Sequence, residues 1–198
     1  MVLDAQDREN EGDLIIAAEH FTPAKAAFMV RHTSGLICAP ILPSLAAKLE
    51  LPQMVAENND PKRTAYTISI DAADGITTGI GAHDRSLTCQ LLASADVHKD
   101  VFRSPGHVVP LQAREGGVRV RPGHTEATLD FCQLAGQQPA GVIAELVEDG
   151  DEVEGVAERA GGFGMMRRDG CLKFARKYGL MVVTIEDLIK YLDENHSR

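Results

Sequence analysis

RENEGDLIIAAE (8–19) passes within a dozen residues from crowded charge to an apolar run. Its second half, LIIAAE (14–19), reads as a strand. The manner in which the first half enters that strand decides what the surrounding fold must accommodate. Arg8, Glu9, Glu11 and Asp13 stand beside Asn10 and Gly12. In an extended chain the side chains alternate, so Glu9, Glu11 and Asp13 share one face and Arg8 and Asn10 the other. In a turn, Gly12 supplies the free backbone angles. Either way carboxylates crowd together, and like charges so close favour a bound cation or raised pKa values. Oxygen ligands select a hard metal such as Mg²⁺, which keeps several waters and takes few protein carboxylates. On local chemistry alone, a solvated charged turn is the alternative.

Outward from this stretch, strand and helix patterns interleave. Pro23–His32 reads as a short helix with Ala26, Ala27, Met29 and Val30 as its apolar side. LICAPI (36–41) reads as a buried strand that Pro40 confines to an edge or an end. Leu45–Leu49 reads as a helical turn, and AYTISID (65–71) alternates with period two, as a half-buried strand does. GITTGIG (75–81) is a Gly-bounded loop, followed by a helix over 85–95. HVVPL (107–111) and GVRVR (117–121) read as strands. A helix opens at Thr125, with Ala127, Phe131, Leu134 and Ala135 at helical spacing, and Gly136 stops it. AGVIAELV (140–147) is the most apolar strand, and LKFARKYG (172–179) is a helix that ends at Gly179. After the strand LMVVTI, Thr184 and Asp187 make a capping-box-like start to a last helix, Ile185–Asn195. Without a strict βαβ rhythm, the pattern predicts an α+β fold: one three-layer domain over 1–198, a mixed β-sheet flanked by helices. The acidic, Gly-rich segment 147–162 reads as a surface loop.

Bulk properties exclude several function classes. With a net charge of -9, most of the surface repels phosphate backbones, so no nucleic-acid partner is expected. A small anionic substrate remains compatible if Arg and His residues gather locally. Cys38, Cys89, Cys132 and Cys171 form no CxxC pair, which points to reduced thiols in a cytoplasmic protein rather than a zinc knuckle. No apolar run approaches the roughly 20 residues that span a bilayer, and the N-terminus lacks a signal-peptide pattern. GxSxG, Walker A and HExxH motifs are missing, and Gly79-Ile80-Gly81 lacks the third Gly of a dinucleotide loop.

Three further stretches can carry chemistry. In RPGHTEATLD (121–130), Pro122-Gly123 turns the chain into a helix start, where free N–H groups suit a phosphate. Arg121 and the Thr125 hydroxyl add to such a pocket, and His124 at its lip can bind metal or move protons. SPGHVVPL (104–111) repeats the Pro-Gly-His turn, with His107 as a general base or acid. Glu145 sits inside an otherwise apolar strand, where a carboxylate is costly unless paired, metal-bound or functional. The bland alternatives are a capped helix with an incidental His, an exposed turn His, and a strand end facing water.

RENEGDLI, RHTSGLIC (31–38), GITTGI, SPGHVVPL, RPGHTEATLD and AGVIAEL occur in an order that resembles the 3,4-dihydroxy-2-butanone 4-phosphate synthase family. The resemblance runs from Val2 to about Glu145 and resumes from Met165 through FARKYGL to TIEDLI. It implies conversion of D-ribulose 5-phosphate into L-3,4-dihydroxy-2-butanone 4-phosphate and formate in riboflavin biosynthesis, through a Mg²⁺-stabilised enediolate, with Mn²⁺ as a substitute cofactor. It implies a homodimer with active sites at the subunit interface. By resemblance, Glu9 and His124 are the metal ligands. Arg8, Glu9, Asp13, Arg121, Pro122, Gly123, His124, Thr125 and Glu145 contact the sugar phosphate, and His107 and Glu145 serve catalysis.

This chain departs from the family pattern in three places. Only MVLD precedes the acidic loop, where the family carries a helix and most of a strand. Asp4-Ala5-Gln6-Asp7 holds two acids in place of a more acidic run. The segment 147–162 looks inserted after Glu145, and no fused GTP cyclohydrolase II domain is expected. The competing readings are a phosphosugar-binding module without catalysis and a Mg²⁺-dependent isomerase or aldolase.

Overall fold

LIIA does form a strand, and both of its faces are covered. In the computed structural model, which describes residues 1–195, β2 spans Gly12–Ala17 and passes into a 3-10 turn at Ala18–His20. Leu14 and Ile16 pack into the main core with Phe21, Met29, Val142 and Ala144. Ile15 turns the other way, towards Val2, Val118, Ala127, Ile185 and Leu188. A continuous apolar run is what a strand buried on both faces requires.

The remaining elements are β1 (Val2–Leu3), α1 (Pro23–His32), β3 (Cys38–Ile41), α2 (Pro43–Lys48), β4 (Ile70–Ala72), α3 (Ala82–Leu92), β5 (Phe102–Gln112), α4 (His124–Leu134), β6 (Gly141–Glu145), β7 (Val147–Glu148), β8 (Gly164–Met165), α5 (Arg168–Tyr178), β9 (Val183–Thr184) and α6 (Ile185–Asn195). Seven strands form one sheet in the order β4-β5-β3-β6-β2-β1-β9. The β3–β5 and β1–β9 pairs are parallel and the others antiparallel, so the sheet is mixed as expected. Helices α1, α3 and α5 cover one face through the main core, while α4 and α6 cover the other. This is the three-layer arrangement anticipated from the sequence.

Local chemistry explains the starts of α1 and α6. Thr22 caps α1 by accepting the Lys25 N–H at 3.4 Å, with Pro23 in the first turn. Thr184 and Asp187 form the expected cap of α6: the Thr184 hydroxyl accepts the Asp187 N–H at 3.0 Å and donates to its carboxylate at 2.7 Å.

Several expectations need correction. GVRVR is not a strand. Gly116 and Gly117 take positive φ angles of 94° and 64°, and the chain coils into a 3-10 turn over Gly117–Arg119. The turn is pinned by the Val118 N–H donating to Asp130 at 2.8 Å. AYTISID is a strand only from Ile70. Its earlier residues pair singly with different neighbours, Tyr66 with Leu111 and Thr67 with Gln53, so no ladder propagates. Pro40 does not place β3 at an edge: β3 lies between β5 and β6. Its contact with β6 is reduced to Cys38–Ile143 and an isolated bridge at Ile41, which spares Pro40 a ladder bond on that side. The helix read over 85–95 starts earlier, at Ala82, and ends at Leu92.

The short MVLD start is enough for β1. Val2 and Leu3 are buried and pair with β2 on one side and β9 on the other. The acidic segment after Glu145 is an exposed excursion closed at its base by β7 and β8. Gly12 has a role different from the one read in the sequence. Its φ is not positive; the left-handed residue of the loop is Asn10, at φ 55°. A Cβ on Gly12 would instead lie 2.7 Å from Cys171 Sγ and 2.9 Å from Leu3 Cδ2. Gly12→Ala is therefore expected to destabilise the fold by about 1–3 kcal/mol, measured as a lower denaturation midpoint with an unchanged slope.

Candidate active site

The register of β2 against β6 builds the centre of the site. Asp13 lies opposite Glu145, Leu14 opposite Ala144 and Ile15 opposite Ile143. Alternation sends Leu14 and Ala144 into the main core and leaves Asp13 and Glu145 together on the other face. The first residue of α4, His124, arrives on that face with Nδ1 3.7 Å from Asp13 Oδ1. One pocket is lined by Arg8, Glu9, Asp13, Cys38, Thr64, Tyr66, Arg121, His124, Thr125 and Glu145, among others. Seven of the residues singled out from the sequence meet there. Pro122 and Gly123 shape the turn beside it, and a Cβ on Gly123 would come within 2.4 Å of the Arg121 guanidinium.

The electrostatics of this pocket are unbalanced. Asp13 is buried, and burial holds its carboxyl above the ordinary value of 3.8, with Glu11, Asp4 and Glu9 adding repulsion and His124 opposing it. Glu145 stands at the exposed end of β6, but partial burial of its carboxyl on the pocket side, followed by the Asp13 charge, pushes it above 4.5. The Oδ1 atom of Asp13 has no hydrogen-bond partner among the described residues. The His124 Nε2 lies 3.2 Å from the Val2 carbonyl, which can only accept. That bond assigns the proton of a neutral ring to Nε2 and leaves the Nδ1 lone pair facing Asp13. With the ring protonated, its charge opposes that of Asp13 without a hydrogen bond; with the ring neutral, two acceptors face each other across 3.7 Å. A cation relieves this, and carboxylate oxygen with imidazole nitrogen is a suitable donor set for a hydrated divalent ion.

The acidic loop is arranged by Asp4, which sequence reasoning noted only as a sparse acid. Its buried carboxylate accepts the Glu11 N–H at 2.8 Å, the Glu9 N–H at 3.2 Å and the Arg8 guanidinium at 2.8 Å. Arg8 also binds the Glu9 carboxylate. Arg167 donates to the Glu9 carbonyl and, at 3.1 Å, to Glu11. Asn10 and Glu11 thus gain structural roles, as the left-handed corner and as a clasp to Arg167. Glu9 lines the pocket, but no group of three His, Cys, Asp or Glu among the described residues is gathered closely enough to cage an ion by itself. Glu9 and His124 both line the pocket without belonging to such a group.

At the Arg121 end, Glu126 is the residue that was missed. It is 1% exposed, accepts the Arg121 guanidinium at 2.7 Å and the Arg114 N–H at 2.9 Å, and so fixes the arginine. Thr64 adds a 3.3 Å contact from a distant loop. The TEAT spacing gave no sign of this, because Glu126 there reads as a first-turn helix acid. Cys38 lines the pocket, but burial pushes its thiol up to about 12, which leaves it protonated and a poor nucleophile. Tyr66 is likewise pushed up to about 12. His107 is not in the pocket lining; its ring lies against Asp71 at 2.8 Å. Within one chain the structure does not bring His107 together with Glu145.

Known proteins place this architecture. A family model described as 3,4-dihydroxy-2-butanone 4-phosphate synthase matches residues 1–191. The chain belongs to that family, which serves riboflavin biosynthesis. A protein of that name from Pyricularia oryzae is 56% identical over 199 residues, covering 100% of this chain and 85% of the relative. A Nocardia farcinica riboflavin biosynthesis protein, RibBA, is 49% identical over 96% of this chain and 44% of its own length. A crystal structure of a 3,4-dihydroxy-2-butanone 4-phosphate synthase in complex with two magnesium ions superposes with a TM-score of 0.95 at 57% identity, covering 98% of this chain and 90% of that one.

A raised carboxyl pKa gives the folded state an advantage only while the group is protonated. For Asp13 and Glu145 that contribution is present below 3.8 and 4.5 and is lost as pH rises through their raised folded-state values. In the metal-free protein these two groups are therefore expected to subtract stability on going from acid towards neutral pH, against the opposite contribution of Asp84 and Asp60, whose carboxyls are held low by the hydrogen bonds they accept. Asp13→Asn should flatten that decline and be neutral to stabilising by up to about 2 kcal/mol; calorimetry across pH checks it.

Proposed function

We propose that this protein converts D-ribulose 5-phosphate into L-3,4-dihydroxy-2-butanone 4-phosphate and formate, with Mg²⁺ as cofactor and Mn²⁺ as a substitute. The observation that carries the reading is the convergence of Asp13, Glu145 and His124 in a pocket whose lining also includes Arg8 and Arg121. Family membership supports it.

The residues divide the work by chemistry. Arg121, held by Glu126, and the N-terminal N–H groups of α4 bind the phosphate end. Arg8, Asp13 and the Glu9 carboxylate orient the hydroxyl-bearing carbons. Glu9 and His124 would hold the metal, with the Val2 carbonyl fixing the His124 ring. When bound, the ion supplies Lewis-acid stabilisation of charge that develops as the substrate enolises. Glu145, whose carboxyl is raised from its ordinary value by partial burial and the Asp13 charge, is placed to accept and return a proton.

His107 takes part as a second proton-transfer group, and its separation from the pocket supports a homodimer with the site at the interface. A second copy would bring His107 to Glu145. Leu36, Ile80 and Val120 are 49%, 53% and 64% exposed near these segments and suit a covered apolar surface. No helix among the described residues is long and apolar enough to cross a membrane. Four buried, unpaired cysteines support a cytoplasmic location, and the acidic surface supports a partner list without nucleic acid or membrane.

Supplying ribulose 5-phosphate and Mg²⁺ is expected to release formate, and chelation should abolish it reversibly; a folded, metal-loaded protein that releases none would reject the activity. Glu9→Gln should lose turnover while keeping the fold, and near-normal rates would remove Glu9 from the metal site. His107→Ala and Glu145→Gln should each be inactive alone. Co-expressed in one cell, they should recover about a quarter of wild-type activity if the site is shared across a two-fold interface, and none if both groups act within one chain.

A further inference from the structure

We propose that Asp71 is the positioning residue that sets the tautomer of His107, under a roof made by Gly79. The proposal rests on the reading above in which His107 moves protons. The local backbone creates the contact. In the β4–β5 pair, Ile70 lies opposite Val108 but Asp71 opposite Arg103, so Ser104–His107 bulge out against a single peptide bond. Gly106 lies directly on that peptide: a Cβ there would stand 2.0 Å from the Ile70 carbonyl carbon and 2.3 Å from the Asp71 nitrogen. His107 is thereby set down on Asp71.

The contact has two points. Asp71 Oδ1 accepts the His107 backbone N–H at 2.8 Å, and Oδ2 lies 2.8 Å from His107 Nδ1. Asp71 is 2% exposed, and the other charged group near it is Arg103, 4.0 Å from Oδ2. An ionised carboxylate only accepts, so Nδ1 carries the proton and Nε2 presents its lone pair on the exposed side of the ring. The 75–81 loop closes over this pair. At Gly79, φ 97°, a Cβ would lie 2.0 Å from Asp71 Oδ2 and 2.6 Å from His107 Nδ1. The loop is held by buried Asp84, whose Oδ2 accepts the Gly79 N–H at 3.0 Å, the Thr77 N–H at 3.0 Å and the Thr77 hydroxyl at 2.7 Å.

The two-point geometry makes Asp71→Asn a sharp test. The His107 N–H demands an acceptor, so the amide oxygen takes the Oδ1 place and the NH₂ group faces Nδ1. The ring proton is then driven to Nε2 and the lone pair turns inward. Nitrogen-15 shifts of the imidazole should report an Nδ1–H neutral ring in the wild type and an Nε2–H ring in Asp71→Asn. Alongside this, kcat should fall about 10²–10⁴-fold with little change in KM. An Nε2–H ring in the wild type, an unmoved tautomer in the variant, or a kcat within threefold of wild type overturns the proposal. Should Asp71→Asn fail to fold, Gly79→Ala is expected to displace the carboxylate and lower kcat with the same change in ring shifts; unchanged shifts and kcat there overturn it equally. Unimpaired formate release by His107→Ala would reject the catalytic role of His107 and the kinetic half of the proposal, while the wild-type ring shifts still decide the tautomer.

Discussion

Asp13 facing Glu145 across the β2–β6 pair is the constraint on which the rest of the site depends. Two neighbouring carboxyls of like charge are held together by strands whose other face is locked into the main core through Leu14, Ile16, Val142 and Ala144. A slip of one residue would turn the acids inward and the leucine outward, so the apolar side enforces a register that the polar side opposes. The apolar burial outweighs a local repulsion that the protein's own cations do not neutralise at Asp13 Oδ1. A site of this kind favours a bound cation.

A second theme is the use of buried acids to hold functional segments. Asp4, Asp71, Asp84 and Glu126 are each no more than 3% exposed. Asp4 gathers the Arg8–Glu11 loop, Asp71 seats the His107 bulge, Asp84 ties the 75–81 loop, and Glu126 fixes Arg121. Each accepts at least one backbone N–H, which is how a carboxylate can be buried at tolerable cost. The net charge of -9 therefore overstates how much negative charge faces a substrate.

The parts that were legible in the sequence share a physical cause. β2, β6, α1 and α6 were readable because apolar periodicity, Pro23 at a helix start and the Thr184–Asp187 cap are local signals. Of the two Pro-Gly-His stretches, Arg121–His124 was visible as the turn into α4, whereas Ser104–His107 is no turn but a bulge within β5; the ordered motifs brought Arg8, Glu9, Asp13, Arg121, His124, Thr125 and Glu145 forward as one set. GVRVR failed because the left-handed Gly116-Gly117 pair at its start and an Asp130 contact outcompeted its β propensity. AYTISID failed because period two reports a half-buried face and says nothing about whether one partner strand runs alongside.

Sequence by itself determined the chemistry available to this protein: which acids, arginines and histidines exist, and which local turns and strands carry them. Tertiary structure alone decided who meets whom. Arg167 reaches Glu9 and Glu11 across more than 150 residues, Val2 orients His124 across 122, and His107 ends up on Asp71 rather than beside Glu145. The reason is that hydrogen-bond partners of buried polar groups are set by sheet register and helix docking. Those follow from burying apolar surface throughout the domain, which no local window of sequence contains.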